Sequence, residues 1–89
     1  MASVDLHELQ QWYRTAVAER ATELEALRPR TGAGGDAAAR DAVRAVGHAL
    51  RGSGGSFGFP SVSEVGKLLE SADDDQLLRR VDATVALLR

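Results

Sequence analysis

The stretch HALRGSGGSFGFP, residues 48–60, decides how this chain of 89 residues folds. If the chain from Val43 to Phe57 winds as an α-helix at about 100° per residue, its apolar side chains fall along one line. That stripe consists of Val43, Val46, Leu50, Ser53 and Phe57. His48 lies nearly opposite the stripe, so the pattern predicts a helix that buries one face and exposes the histidine.

Glycines are dense in this segment, at positions 47, 52, 54 and 55. Each one costs a helix about 0.8–1.0 kcal/mol relative to alanine, so two interpretations compete. In the first, the helix ends near Arg51 and residues 52–58 form a flexible loop, which glycine content alone favours. In the second, packing through Leu50, Ser53 and Phe57 holds the helix together. The glycines then leave a shallow surface on which a partner can approach His48.

The order of residues around His48 resembles the signature of histidine-containing phosphotransfer (HPt) domains. In that family a His-x-apolar-Lys-Gly-small-small run lies in mid-helix, and a later glycine precedes a helix that often ends in Leu-Glu. The resemblance covers under a third of this chain, without a gap. It consists of His48, Leu50, Arg51, Gly52, Ser53, Phe57, Gly58, Val62, Val65, Leu68, Leu69 and Glu70. Arg51 replaces the usual lysine, which keeps the charge but offers a planar fork instead of a mobile point charge.

The resemblance implies that the distal ring nitrogen of His48 takes a phosphoryl group from an aspartyl phosphate on a receiver domain. His48 would then pass the group to an aspartate on another receiver. Arg51 and Arg44, its neighbours on the helix, would favour the neutral ring before transfer and offset the phosphoryl charge afterwards. The receiver would dock on the histidine face, a surface made of Gly52, Gly55, Asp41 and Ala45.

No motif in the sequence indicates that the chain catalyses a reaction by itself. Residues 52–58 match neither the GxxxxGK[ST] nor the GxGxxG nucleotide-binding motif, and no cluster of His, Asp and Glu has metal-ligand spacing. We therefore expect a phosphotransfer intermediate and not an enzyme, with no cofactor or metal of its own. Mg²⁺ and the in-line geometry would come from the receiver. The implied partners are response-regulator receiver domains, a hybrid histidine kinase, or both.

Composition argues against several other classes of protein. The net charge of −2 does not suit a nucleic-acid binder, and no apolar run approaches the ~18 residues of a membrane span. The start of the chain has neither the basic region nor the apolar core of a signal peptide. Without cysteines, no disulfide or thiolate chemistry is available. We expect a cytoplasmic monomer.

A hydrophobic content of 44% with few aromatic residues is typical of a small all-α bundle. Periodicity predicts one domain over residues 1–89, with helices over 4–28, 36–57, 60–71 and 73–88. Ser3 is the predicted N-cap of the first helix, and Gly66 in the third allows a close helix crossing. Short links between helices imply an antiparallel up-and-down four-helix bundle, with the histidine exposed midway along the second helix. The HPt family has the same architecture.

Two other functions remain open at this point. A non-catalytic helical protein-interaction bundle would carry His48 as an ordinary surface residue and use its glycines only to bring helices together. A histidine-kinase-like dimerisation domain would receive phosphate from an ATP-binding domain, which this sequence does not contain. Trp12 and Tyr13 are interpreted as core or rim packing residues.

Overall fold

The computed structural model describes residues 5–32 and 34–89. The four helices are α1 (Leu6–Leu27), α2 (Ala37–Gly54), α3 (Pro60–Glu70) and α4 (Asp74–Leu88), and a 3₁₀ turn at Arg28–Arg30 follows α1. No strand occurs in the two described ranges. The prediction of an all-α fold with four helices is therefore confirmed.

Short acidic side chains and a proline set where helices begin. Asp5 caps α1 by accepting the backbone N–H of His7 at 3.2 Å. Asp36 caps α2 in the same way, with the N–H of Ala39 at 2.7 Å. Pro60 opens α3, where its missing N–H leaves no hydrogen bond unmade. The predicted cap Ser3 lies outside the described residues.

Contacts between α1 and α2 give their relative direction. The Tyr13 hydroxyl lies 2.7 Å from Oγ of Ser53, and the Gln10 side chain donates to the carbonyl of Phe57 at 3.2 Å. Moving back along α1 thus corresponds to moving forward along α2. The two helices run antiparallel.

The same reasoning applies to α2 and α3. Gly47 on α2 lies against the backbone of Glu70, whereas Gly54 lies against that of Ser63. Residue numbers rise along one helix as they fall along the other, so this pair is also antiparallel.

Ion pairs relate the last helix to the first. Asp82 accepts two hydrogen bonds from Arg28, the shorter at 2.6 Å, and Arg89 is paired with Glu25 further back on α1. Helices α1 and α4 are therefore antiparallel, which is the arrangement of an up-and-down bundle.

All four helices contribute to one buried core. Its members are Tyr13, Val17, Ala21, Leu24, Val43, Val46, Leu50, Val62, Leu69, Ala72, Leu77, Val81 and Leu88. Of the apolar stripe predicted for α2, Val43, Val46 and Leu50 are buried as expected, whereas Ser53 and Phe57 are half-buried and Phe57 lies beyond the end of the helix. On α4 the core also takes in Thr84, whose hydroxyl donates to the carbonyl of Arg80 at 2.7 Å, while Leu78 and Val85 remain half-buried.

The second helix ends earlier than predicted. It was expected over 36–57, but it ends at Gly54, and residues 55–58 continue as turns. Phe59 donates its N–H to the carbonyl of Gly54 at 2.8 Å, and Gly58 donates to Gly55 at 3.2 Å. With Gly58 at φ +84°, this crossed pair of hydrogen bonds is a Schellman closure. The flexible-loop interpretation was wrong, because the helix includes both Gly52 and Gly54.

Candidate functional site

His48 stands in an exposed row along α2 and just beyond its end. All members of the row are exposed: Asp41, Ala45, His48, Gly52 and Gly55. The side chain of His48 itself is 76% exposed. A methyl group added at Gly52 or Gly55 would meet no atom within 4 Å, so the surface on one side of the ring is open. The predicted docking residues thus share one surface.

A carboxylate from the neighbouring helix holds the ring of His48. Nδ1 lies 3.2 Å from Oε1 of Glu70, the last residue of α3. An ionised carboxylate offers only acceptor oxygens, so Nδ1 carries the hydrogen and donates it. The lone pair of the neutral ring is then at Nε2, which makes Nε2 the nucleophilic atom.

Arg51 reaches the same carboxylate from one turn further along α2. Its Nη1 lies 3.4 Å from Oε2 of Glu70, so the histidine and the arginine each face one of the two carboxylate oxygens. The Arg51 side chain is 55% exposed. A cation is therefore kept close to the ring without being buried.

Arg44 lies elsewhere. Its Nη2 donates to Oδ1 of Asp74 at 2.6 Å and to the carbonyl of Ala72 at 3.0 Å, which fixes the guanidinium at the start of α4. Arg40 lies 3.6 Å from the other oxygen of Asp74. The sequence placed Arg44 beside Arg51 at the histidine, but the structure brings only Arg51 to the His48–Glu70 pair. The cause is Asp74, a partner thirty positions away that helical periodicity does not reveal.

The hydrogen bond from His48 lowers the pKa of Glu70 below its ordinary value. Partial burial of the carboxylate opposes this shift, and the charges of His48 and Arg51 reinforce it. Glu70 is therefore ionised at neutral pH and available as an acceptor for Nδ1–H.

An apolar groove between α1 and α2 adjoins the exposed row. Its volume is about 220 Å³, and its lining includes Trp12, Ala16, Ala49, Ser53 and Phe57. Trp12 is 61% exposed, with its ring centroid 5.8 Å from that of Phe57. Phe57 is in turn stacked on buried Tyr13 at 4.6 Å. Trp12 is thus a rim residue, and Tyr13 a core residue.

Comparison with known proteins gives one match. The family model described as Hpt domain matches residues 8–89. The chain belongs to the Hpt domain family. No curated protein and no solved structure matches it. The resemblance noted between His48 and Glu70 is confirmed and extends over nearly the whole of this Hpt domain, whose family performs histidine phosphotransfer in phosphorelays.

Sequence reasoning missed the role of Glu70 in this Hpt domain. The residue was noted as the end of the family pattern, but no function was assigned to it. Its signal was the Leu69-Glu70 pair at the end of the third helix, which antiparallel packing places beside His48. Trp12 was likewise not connected to the predicted docking residues, because periodicity does not show which face of α1 lies beside the histidine face of α2.

No helix within residues 5–32 and 34–89 combines the length and the apolar character needed to cross a membrane.

We predict that the free energy of unfolding of this Hpt domain falls in acid. Ion pairs and hydrogen bonds lower the pKa values of Asp36, Glu70, Asp74 and Asp82 in the folded state. A carboxyl with a lowered folded pKa stabilises the fold above its unfolded pKa, and the contribution is lost as pH falls through the folded pKa. Urea unfolding followed by circular dichroism should therefore show declining stability below about pH 5.

The variant Asp74→Asn should show a shallower acid decline, because it no longer carries the carboxylate that pairs with Arg44 and Arg40. Equal stability of the unsubstituted protein at pH 5 and pH 3 would contradict the prediction.

Proposed function

We propose that this Hpt domain is a histidine phosphocarrier in a multistep phosphorelay. Nε2 of His48 attacks the phosphorus of an aspartyl phosphate on a receiver domain. The N–P bond forms as the P–O bond to the aspartate breaks, and the aspartate carboxylate leaves. A second receiver takes the group by the reverse exchange. The observation that carries the proposal is the hydrogen bond of Nδ1 to Glu70 on an exposed surface, which leaves the lone pair at Nε2.

Glu70 keeps a role after transfer. The phosphorylated ring retains the hydrogen on Nδ1, and its positive character strengthens the bond to the carboxylate. Arg51 supports the phosphoryl group, because its exposed guanidinium is only weakly held at 3.4 Å by Glu70. Arg44 takes no part in this support, since Asp74 and the carbonyl of Ala72 already hold its side chain.

The receiver supplies the remaining chemistry of the exchange. Phosphoryl transfer depends on positioning and on neutralising charge, and we assign the in-line geometry and the Mg²⁺ to the receiver. The Hpt domain then needs no cofactor, no metal and no nucleotide site, and it acts as an intermediate instead of an enzyme.

The docking surface combines the exposed row of α2 with the apolar groove beside it. Gly52 and Gly55 leave room for the receiver's backbone, and Trp12 and Phe57 offer apolar area for a patch on the partner. We propose that the domain docks as a monomer with response-regulator receivers or the receiver of a hybrid histidine kinase. We place it in the cytoplasm and propose no nucleic-acid partner, since a net charge of −2 does not suit binding to a phosphate backbone.

The test is phosphoryl transfer from a panel of receiver domains that carry a radiolabelled aspartyl phosphate. The expected product is label on the Hpt domain that is lost in acid and kept in base, as a phosphoramidate on histidine is. A folded protein that takes no label from any receiver would contradict the proposal and favour a non-catalytic interaction bundle. Label that appears only with an ATP-binding kinase domain, on a protein that sediments as a dimer, would instead indicate a kinase-like dimerisation domain.

The variant Glu70→Ala should take up label about tenfold more slowly than the unsubstituted protein. It loses the acceptor that keeps the hydrogen on Nδ1, so a smaller fraction of the neutral rings has its lone pair at Nε2. Single-turnover transfer rates measure the effect. Glu70→Gln should give an intermediate rate, because its amide oxygen can still accept from Nδ1 but its amide nitrogen can instead donate to Nδ1 and it carries no charge. Equal rates for Glu70→Ala and the unsubstituted protein would contradict the role of Glu70.

A further inference from the structure

The backbones of α2 and α3 touch where two glycines face each other. A methyl group built on Gly47 would lie 2.8 Å from the backbone nitrogen of Glu70 and 2.8 Å from the carbonyl oxygen of Gly66. A methyl group built on Gly66 would lie 2.5 Å from the nitrogen of Arg51 and 2.7 Å from the oxygen of Gly47. Neither position has room for a side chain, so the two helices are closer here than any other residue would allow.

The glycines around the histidine therefore do two different things. Gly47, Gly54 and Gly66 all lie against backbone of the opposite helix, whereas Gly52 and Gly55 face open space. The three glycines that lie against backbone lower the helix propensity of α2 and α3 without opening any surface to a partner. What they contribute is therefore the close packing of the two helices inside the domain.

The close crossing lies at the level of the His48–Glu70 pair. Gly47 directly precedes His48, and Glu70 follows Gly66 by one helical turn on the same face of α3. The separation of the two backbones at the glycines therefore sets how far the Glu70 carboxylate lies from Nδ1. That distance, 3.2 Å, is already at the outer limit of an N–H···O hydrogen bond.

A hydrogen bond between the helices fixes their register at the same crossing. Ser63 Oγ donates to the backbone carbonyl of Arg51 at 2.8 Å, across the interface that the glycines bring together. It favours one register of α3 against α2, because sliding would break it. Spacing and register are thus both defined beside the histidine.

We propose that Gly47 and Gly66 are positioning residues for His48. Their contact sets the spacing of α2 and α3 at which Glu70 accepts Nδ1–H, and so determines which ring nitrogen carries the lone pair. The inference rests on the proposed phosphocarrier function, and it explains why a helix keeps a glycine immediately before its reactive residue. Neither glycine contacts the partner or the phosphoryl group.

The experiment is the variant Gly66→Ala, followed by NMR of the His48 ring nitrogens at a pH where the ring is neutral. Ordinary contact of the new methyl group begins at 3.4 Å, so α3 must move away from α2. We expect the form with hydrogen on Nδ1 to predominate in the unsubstituted protein. In Gly66→Ala the populations should move toward those of free histidine, and the transfer rate should fall about tenfold.

Gly32→Ala is the matched control. It also adds a methyl group to a glycine, at an ordinary 3.4 Å from Cδ2 of Leu78 and away from the exposed row. The populations of the two His48 ring tautomers and the transfer rate should both equal those of the unsubstituted protein. If folded Gly66→Ala behaves like this control, the flexible Glu70 side chain has absorbed the shift and the proposal is wrong.

A second variant covers the case in which Gly66→Ala does not fold. Glu70→Asp withdraws the carboxylate by one methylene group and leaves both glycines in place, so it should reproduce the shift in ring populations. Unchanged populations in Glu70→Asp would overturn the proposal. NMR of the His48 ring nitrogens needs no receiver domain. In Gly66→Ala it therefore tests the positioning role of the glycines even if the unsubstituted protein takes no label and the phosphocarrier function is wrong.

Discussion

The variant His48→Gln should take no label from any receiver that phosphorylates the unsubstituted protein. Glutamine has no nucleophilic nitrogen, because its amide lone pair is delocalised, and no other group replaces Nε2 in the exposed row. The side chain is 76% exposed, so loss of its surface hydrogen bond to Glu70 should lower the thermal unfolding temperature only slightly. Lost label on a protein that still unfolds cooperatively near the same temperature would identify His48 as the acceptor.

The chain contains its own control for this experiment. His7 is the other of the chain's two histidines, exposed in the first turn of α1, with its Nε2 3.2 Å from the Gln11 side chain. His7→Gln should be labelled at the full rate. Label that persists in His48→Gln and disappears in His7→Gln would place the acceptor on α1 and contradict the whole description of the site.

The second large effect should come from Gly52→Gln, which is expected to reduce transfer at least tenfold without harming the fold. A side chain at Gly52 meets nothing within the domain, so it projects into the space that a receiver must enter. Glutamine also forms helix better than glycine, so unfolding stability should rise by up to about 0.5 kcal/mol. Measured on the same preparation, the transfer rate should fall while the thermal unfolding temperature rises.

Ala83→Gln is a suitable comparison, since it places the same side chain at an exposed position of α4. It should leave the transfer rate unchanged. Full transfer by Gly52→Gln would show that the receiver does not approach over the glycines, and the steric part of the docking proposal would then be wrong.

Periodicity and the family pattern predicted most of the architecture. The stripe of Val43, Val46 and Leu50 is buried, and His48 opposite it is exposed, because both follow from the 100° step of a helix. The exposed row followed from the same step. These are properties of one helix, which its own sequence determines.

The sequence did not predict contacts that depend on how helices pack. Glu70 is hydrogen-bonded to His48, 22 positions away in the sequence, and Asp74 is hydrogen-bonded to Arg44, 30 positions away. Both contacts require the spacing and register of α2 against its neighbours. The end of α2 was also misplaced, because residues 55–58 form turns that close at Gly58, and apolar periodicity does not distinguish such turns from a further turn of helix.

The exposed row has a kinetic consequence. It is one narrow strip with one histidine, so under the proposed function a donor receiver and an acceptor receiver would both need it and would have to bind in turn. Such a relay would follow ping-pong kinetics, in which each receiver competes with the other for the same strip. An excess of unphosphorylated donor would then slow the output by occupying the phosphorylated domain. The abundance of the two receivers, as well as their affinities, would set how fast the signal passes.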